Sequence, residues 1–108
     1  MPKYLVEASY TTEGLKGLAK DGGSGRVKAL SQAAAALGGK LEALYFSFGK
    51  HDAIVIVDLP DNVSCAAISL AAGAAGTAHT RTTVLLTPDE VDKAVKLKPG
   101  YRPPGKGK

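Results

Sequence analysis

Two histidines and a few charged side chains carry the chemistry that this sequence can offer. His51 and Asp52 are adjacent, and His79 lies two residues before Arg81. Imidazole titrates near neutral pH and a carboxylate can fix its tautomer, so we predict His51, Asp52 and His79 as catalytic residues of an acid–base site. Arg81, through its planar guanidinium, and Lys16 are predicted to bind an anionic ligand group.

The elements that must position these residues alternate along the chain. Residues 3–10 have the period of a strand, with Leu5, Glu7 and Ser9 on one face and Tyr10 on the other. An apolar hairpin is predicted within residues 39–58, and a β-branched strand within residues 78–86. Helices are predicted between the first strand and residue 37, with a break at residues 22–25, and again from residue 61 or 62 to about residue 73.

A final short helix is predicted from the sequence Thr87-Pro88-Asp89-Glu90. Thr87 and Glu90 can form a capping box, and Pro88 is tolerated at the first helical position. The complete order is βαββαβ plus this helix, which predicts an α+β fold: a ferredoxin-like βαββαβ plait with a four-stranded antiparallel sheet and an extra C-terminal helix.

This topology brings distant residues to one edge of the sheet. The end of the first strand at Tyr10, the hairpin tip at His51 and the start of the fourth strand at His79 are expected to meet there, with Lys16 overlooking the edge. Tyr10 and Tyr45 are therefore added to the predicted ligand-binding residues.

A purely structural interpretation of the same residues stays open. In it, His51 is a solvated turn residue, Asp52 caps the turn, and His79 and Arg81 are polar residues that protect an edge strand from aggregation. Two further features have a structural interpretation that we favour. The break at residues 22–25, followed by Arg26, resembles an anion-binding nest but is more typical of a bend in a helix. Cys65 is predicted to pack in the core.

No metal and no other cofactor is predicted. His51, His79 and Asp52 are ligand types that zinc or non-haem iron accepts, but nothing in their spacing requires an ion.

The charge of the chain is concentrated at its C-terminal end. The net charge is +4, yet the ten lysines and arginines before residue 98 balance the ten acidic residues. We therefore predict a domain over residues 1–97 and a basic Pro/Gly-rich tail over residues 98–108, and we do not expect a nucleic-acid partner. The single cysteine and the lack of a signal-like or membrane-spanning segment predict a cytoplasmic protein without a membrane contact.

The predicted hairpin is apolar on both faces. Leu44, Phe46 and Phe48 alternate with Leu41, Ala43 and Tyr45, whereas a strand with one solvated face should alternate apolar with polar residues. One chain of 108 residues cannot cover both faces of its sheet, so we predict a homodimer or a higher homo-oligomer.

Several short segments together resemble the GYD-domain family, from Pro2 to about Ala94. They are residues 10–18 (YTTEGLKGL), 22–26 (GGSGR), 38–42 (GGKLE), 57–61 (VDLPD) and 82–88 (TTVLLTP). The resemblance implies a ferredoxin-like fold of the dimeric α+β-barrel type and no settled catalytic residues. The Gly-x-Tyr-Asp hairpin that gives the family its name is Gly49-Lys50-His51-Asp52 here, so histidine replaces tyrosine.

Two functions are compatible with these observations. The first is a homo-oligomeric protein that binds a small organic molecule between helices and sheet, and converts it without a cofactor if the polar edge is catalytic. The alternative is a non-catalytic assembly or regulatory module that binds other chains through the apolar sheet face and the C-terminal tail.

Overall fold

The structure, a computed structural model, describes residues 1–105, so Lys106 and Lys108 of the predicted basic tail lie outside the described residues. Three helices and four strands follow one another in this part of the chain. They are β1 (Lys3–Tyr10), α1 (Thr12–Ala36), β2 (Lys40–Phe46), β3 (Ala53–Asp58), α2 (Asn62–Ala74), β4 (Ala78–Leu85) and α3 (Pro88–Lys96). The predicted α+β plait is confirmed.

The four strands form one sheet in the order β2-β3-β1-β4, and each neighbouring pair is antiparallel. The central strand β1 pairs with β3 on one side, where Tyr4 lies opposite Val57, and with β4 on the other, where Tyr4 lies opposite Val84. Antiparallel partners share a face, so this register fixes which side chains lie together across the sheet.

Helices α1 and α2 pack on one face of the sheet, which we call the covered face. Its core is formed by fully or nearly fully buried side chains of both layers: Tyr4, Ala34, Val55, Val57, Leu59 and Cys65. The Tyr4 hydroxyl donates a hydrogen bond of 2.6 Å to Oδ1 of Asn62 in α2. The opposite side, the open face, has no helix of the described chain against it.

The helix ends are fixed by local hydrogen bonds. The side chains of Thr11, Asp61 and Thr87 accept from the backbone N–H groups of Gly14, Ser64 and Glu90 at the starts of α1, α2 and α3. Glu90 completes the predicted capping box by accepting from the Thr87 N–H at 2.8 Å. These hydrogen bonds satisfy N–H donors that a helix start leaves without partners, which explains why the sequence located these ends well.

The hairpin departs from the predicted alternation at one point. A bulge between Leu41 and Ala43 shifts the register, so Leu41 pairs with Val57 and faces the helices together with Leu44. The prediction that Leu41 shares a face with Ala43 and Tyr45 is wrong, because the extra residue inverts the alternation there. Ala43 and Tyr45 lie on the open face. Phe48, predicted to continue the strand, follows it at the hairpin tip and is fully exposed.

Helix α3 stands apart from the rest of the described chain. Every residue from Pro88 to Lys96 is exposed, including the apolar Val91 and Val95. The described chain is correspondingly elongated, with dimensions of 60 × 30 × 23 Å. Among residues 1–105 there is no helix with both the length and the hydrophobicity that a membrane crossing requires.

Candidate functional site

The predicted convergence of strand ends occurs at one edge of the sheet. Tyr10 at the end of β1 lies opposite Ala78 at the start of β4, and Ser9 lies opposite His79. Ala8 lies opposite Ala53, the first residue of β3, so the hairpin tip with His51 reaches the same edge. The side chains, however, divide between the two faces of the sheet, and this division decides what each group can do.

On the open face, His51 lies between two side chains of β1. Its Nδ1 is 3.3 Å from Oγ of Ser9, and its Nε2 is 3.6 Å from Oε2 of Glu7. The His51 side chain is 15% exposed and that of Glu7 is 29% exposed. The imidazole is therefore held over the sheet and is not the solvated turn residue of the structural interpretation.

The cross-strand neighbours extend this cluster along the open face. Arg81 lies opposite Glu7, and His79 lies opposite Ser9, both in the register of β1 with β4. Tyr45 lies opposite Ile54, which in turn lies opposite Glu7, so Tyr45 belongs to the same row. A carboxylate, two imidazoles, a guanidinium and two hydroxyls thus share one end of the open face.

Glu7 and Ser9 were not predicted from the sequence as partners of His51. The signal was present, because the alternation of β1 already placed both residues on the face opposite Tyr10. What was lacking was the direction in which the hairpin tip folds, which put His51 over that face.

Two of the predicted site residues have other partners. Oδ2 of Asp52 accepts from the Tyr10 N–H at 2.8 Å, and the Asp52 N–H donates to the Ala8 carbonyl at 2.8 Å, so this residue ties the hairpin tip to β1. Within residues 1–105, Asp52 forms no hydrogen bond or ion pair with either histidine. Lys16 is exposed on α1, with Nζ 3.9 Å from Glu13. The structure therefore does not bring Lys16 and Arg81 to the same side of the sheet.

On the covered face, a cavity lies between the sheet and helices α1 and α2. The space in it that a water-sized sphere can occupy is about 100 Å³, and the cavity is partly open to solvent. Most of its lining is apolar, from the inward side chains of the strands and from α1 and α2, and includes Val6, Leu30, Val55 and Ile68. Of the predicted site residues, Tyr10 lines it.

Arg26 brings a charge to this cavity. It follows Gly22, whose φ of 74° and ψ of 170° interrupt α1, as the predicted bend requires. Nη1 of Arg26 lies 3.9 Å from Oδ2 of Asp21, and its side chain is 31% exposed. Its Nε is buried and has no hydrogen-bond partner within residues 1–105.

Two titratable groups of the covered face, Cys65 and Tyr4, are held in their neutral forms. Burial raises the pKa of the Cys65 thiol, although a hydrogen bond with Thr82 opposes this effect. Burial likewise raises the pKa of the Tyr4 hydroxyl, with smaller contributions from Cys65 and Asp61. Neither group is therefore activated as a nucleophile or base.

No group of three or more histidine, cysteine or acidic side chains within residues 1–105 is placed to bind a metal ion. The pair His51–Glu7 is joined by a hydroxyl, from Ser9, and not by a third ligand of the usual kind.

Comparison with known proteins gives one match. The family model of the GYD domain matches residues 4–95. No curated protein and no solved structure matches the chain. The matched range covers the seven elements described above except the first residue of β1 and the last residue of α3. The resemblance inferred from the sequence is thereby confirmed.

Proposed function

The chain belongs to the GYD domain family, and we propose that it binds a small organic molecule in the cavity between α1, α2 and the sheet. The observation that carries this proposal is the cavity itself. The space in it that a water-sized sphere can occupy is about 100 Å³, below the range of about 300 to 1,000 Å³ that drug-sized sites have, so we expect only a small ligand. An apolar lining with a few polar groups, here Tyr10 and Arg26, is typical of such sites.

Binding is better supported than conversion. His51, His79 and Arg81 do not line the cavity among the described residues, and the sheet lies between it and the open face. The thiol of Cys65, which does line the cavity, has a raised pKa and is a poor nucleophile. A ligand in this cavity therefore meets groups that hold and orient it, whereas the acid–base residues predicted from the sequence lie elsewhere.

Filling the cavity tests this proposal. Ala72 lines the cavity from α2, whereas its neighbour Ala71 is exposed and lies outside the lining. We expect Ala72→Leu to abolish binding of small apolar probes, observed as shifts of the backbone amide NMR signals of Ala53 and Ala78. Ala71→Leu is the matched control and should bind as the wild type does. If the probes bind the two variants equally, or shift no cavity signal in the wild type, the proposal is wrong.

We propose, as a second function, homo-oligomeric assembly in which a second copy of this chain covers the open face. The centre of this face is apolar, and its side chains lie in adjacent rows of the register: Leu5, Ala43, Ile54 and Ile56. Charged residues of both signs surround it, with Lys3 bonded to Asp58 and Glu42 at one end and Glu7 opposite Arg81 at the other. Such a surface carries little net charge and can meet a copy of itself.

Helix α3 specifically favours this second function. An amphipathic helix gains most of its stability by packing its apolar side, yet Val91 and Val95 are 45% and 65% exposed within the protomer. A second copy is the partner that would bury them.

Analytical ultracentrifugation tests the assembly. Tyr45, 69% exposed on the open face, is changed to glutamate, and Val63→Glu, at a site 78% exposed on α2, is the control. We expect the wild type and Val63→Glu to sediment as oligomers and Tyr45→Glu to sediment as a monomer. A monomeric wild type, or an oligomer that Tyr45→Glu leaves intact, contradicts the proposal.

A further inference from the structure

Arg26 has a hydrogen-bond donor that the protein does not use. Its Nε has almost no contact with solvent and no acceptor within residues 1–105, although the outer part of the side chain is partly exposed. A buried donor without an acceptor loses its hydration and gains nothing in return. Buried donors in native proteins are therefore nearly always paired, and an unpaired one indicates an acceptor that comes from outside the chain.

Arg26 lines the cavity of the covered face and also a neighbouring one that includes Asp21. The first cavity is where the missing acceptor would lie, because no side chain of its described lining carries a negative charge that could pair with Arg26. The remaining polar side chains of the lining are neutral: Tyr10, Cys65, Thr77 and Thr80. No acidic side chain of the described residues is among them. The nearest carboxylate is that of Asp21, whose Oδ2 lies 3.9 Å from Nη1 of Arg26. Arg26 thus brings a cationic group with an unpaired donor to an otherwise neutral and mostly apolar lining.

Resting on the proposed function, we infer that the ligand is a small monocarboxylate with an apolar aliphatic or aromatic body, bound through Nε and one Nη nitrogen of Arg26. The planar guanidinium edge matches the two oxygens of a carboxylate, which accept two parallel hydrogen bonds. The apolar lining of the cavity can pack against the apolar body of the ligand.

One charge on the ligand suits this site better than two. Arg26 supplies one positive charge, which Asp21 already offsets in part. A phosphate dianion would bring a second negative charge and a third oxygen into a lining that offers neutral hydroxyl groups only, and an unpaired buried charge is strongly unfavourable.

Matched pairs of acids and amides test the inference. Benzoate with benzamide, and hexanoate with hexanamide, have nearly the same shape and differ in charge. Each is titrated into the full chain, and dissociation constants are taken from the amide NMR signals of Ala53 and Ala78. A hydrogen bond to a charged group is worth enough that the wild type should bind each acid about 10- to 100-fold more tightly than its amide.

Variants of Arg26 then assign the preference to this residue. Arg26→Met should bind acids and amides equally, whereas Lys28→Met, which removes an exposed cation of the same helix that lies outside the cavity lining, should keep the wild-type preference. Arg26→Lys provides a second variant in case the methionine variant does not fold: it keeps the charge but cannot form the paired hydrogen bonds, and the preference should fall.

Three results would overturn the inference. Equal binding of acids and amides by the wild type would mean that a water molecule or no ligand satisfies Nε, although the cavity would still bind small molecules. A preference that survives in Arg26→Met would place the anion elsewhere. Tighter binding of inorganic phosphate than of either acid would assign the site to a different ligand class. Failure of all four organic probes to shift cavity signals would instead remove the proposed function as well.

Discussion

The covered and open faces of the sheet are built from the same four strands but have different environments. On the covered face, Tyr4, Val55 and Val57 are between 1% and 8% exposed, and an apolar cavity remains. On the open face, Ile54 and Ile56 are half-buried and Tyr45 is 69% exposed. Helices α1 and α2 both lie on one side of the sheet, as crossovers of the same hand require, so the topology, and not the hydrophobicity of the strands, selects the face that becomes the core.

The loss of stability on substitution should differ most between two leucines, one on each face. Leu59 is fully buried on the covered side, whereas Leu5 is half-buried on the open face. We expect Leu59→Ala to lower the free energy of unfolding by about 2–5 kcal/mol, because it leaves a cavity in the core. Leu5→Ala should lower it by about 1 kcal/mol in the isolated protomer. Urea denaturation at low protein concentration measures both.

Repeating this pair at high protein concentration sharpens the comparison. If a second copy covers the open face, the cost of Leu5→Ala rises with concentration while that of Leu59→Ala does not change. Costs that are equal at every concentration would contradict the distinction between the two faces.

Two glycines of α1 test how closely the helix approaches the covered face. A β-carbon on Gly14 would overlap the carbonyl oxygen of Thr77, whereas one on Gly17 would meet no atom within 4 Å. Gly14→Ala should destabilise the fold by about 1–3 kcal/mol through overpacking. Gly17→Ala should stabilise it by about 0.5–1 kcal/mol, because alanine favours a helix interior. Thermal unfolding distinguishes the two, and a stable Gly14→Ala protein would mean that the helix can move away from the sheet.

Removing one hydroxyl group from each face should give a smaller difference in stability. Tyr4→Phe removes a 2.6 Å hydrogen bond to Asn62 on the covered face, and Ser9→Ala removes a 3.3 Å contact to His51 on the open face. We expect the free energy of unfolding to fall by about 1 kcal/mol for Tyr4→Phe and by less for Ser9→Ala, because the shorter hydrogen bond is made by a buried donor. Denaturant midpoints measure both, and an equal or larger loss for Ser9→Ala would show that the cluster around His51 stabilises the fold.

Alkaline pH should lower the stability through one group on each face. Hydrogen bonds to Asp58 and Glu42 raise the pKa of Lys3 to about 12, so its contribution is complete below the ordinary lysine pKa of 10.5 and is lost as pH rises towards 12. On the covered face, burial raises the pKa of the Tyr4 hydroxyl, so stability also falls once pH exceeds its ordinary pKa of 10.0. Wild type and Lys3→Met should therefore converge in stability between pH 10 and pH 12 in urea titrations. If the difference in free energy of unfolding between wild type and Lys3→Met stays constant over this pH range, the Lys3 ion pairs are not the source of that difference.

Features that depend on neighbouring residues could be predicted from the sequence, and features that depend on tertiary packing could not. The caps at Thr87 and Asp61 involve residues three positions apart, so their sequence pattern is sufficient. The bulge near Leu41 could not be predicted in this way. No residue type at a fixed spacing marks a bulge, so the sequence of the strand looks the same with or without one.

The candidate site shows the same limit. The order of the elements was enough to predict that His51 and His79 reach one edge of the sheet. It was not enough to predict that Tyr10 and Arg26 lie at the cavity on the other face. The buried Nε of Arg26 results from the bend at Gly22 and from the distance between helix and sheet, and neither can be read from the spacing of residues.

The strand order also has a consequence for synthesis on the ribosome. The first strand to emerge, β1, lies inside the sheet, and both of its partners, β3 and β4, are made later. The β2–β3 hairpin can pair as soon as it emerges, and it then occupies one edge of β1, whose other edge stays unpaired until β4 leaves the exit tunnel. Nascent chains held before β4 should thus carry an open strand edge, the kind of edge that invites aggregation. In this fold, the last strand closes the sheet beside the first.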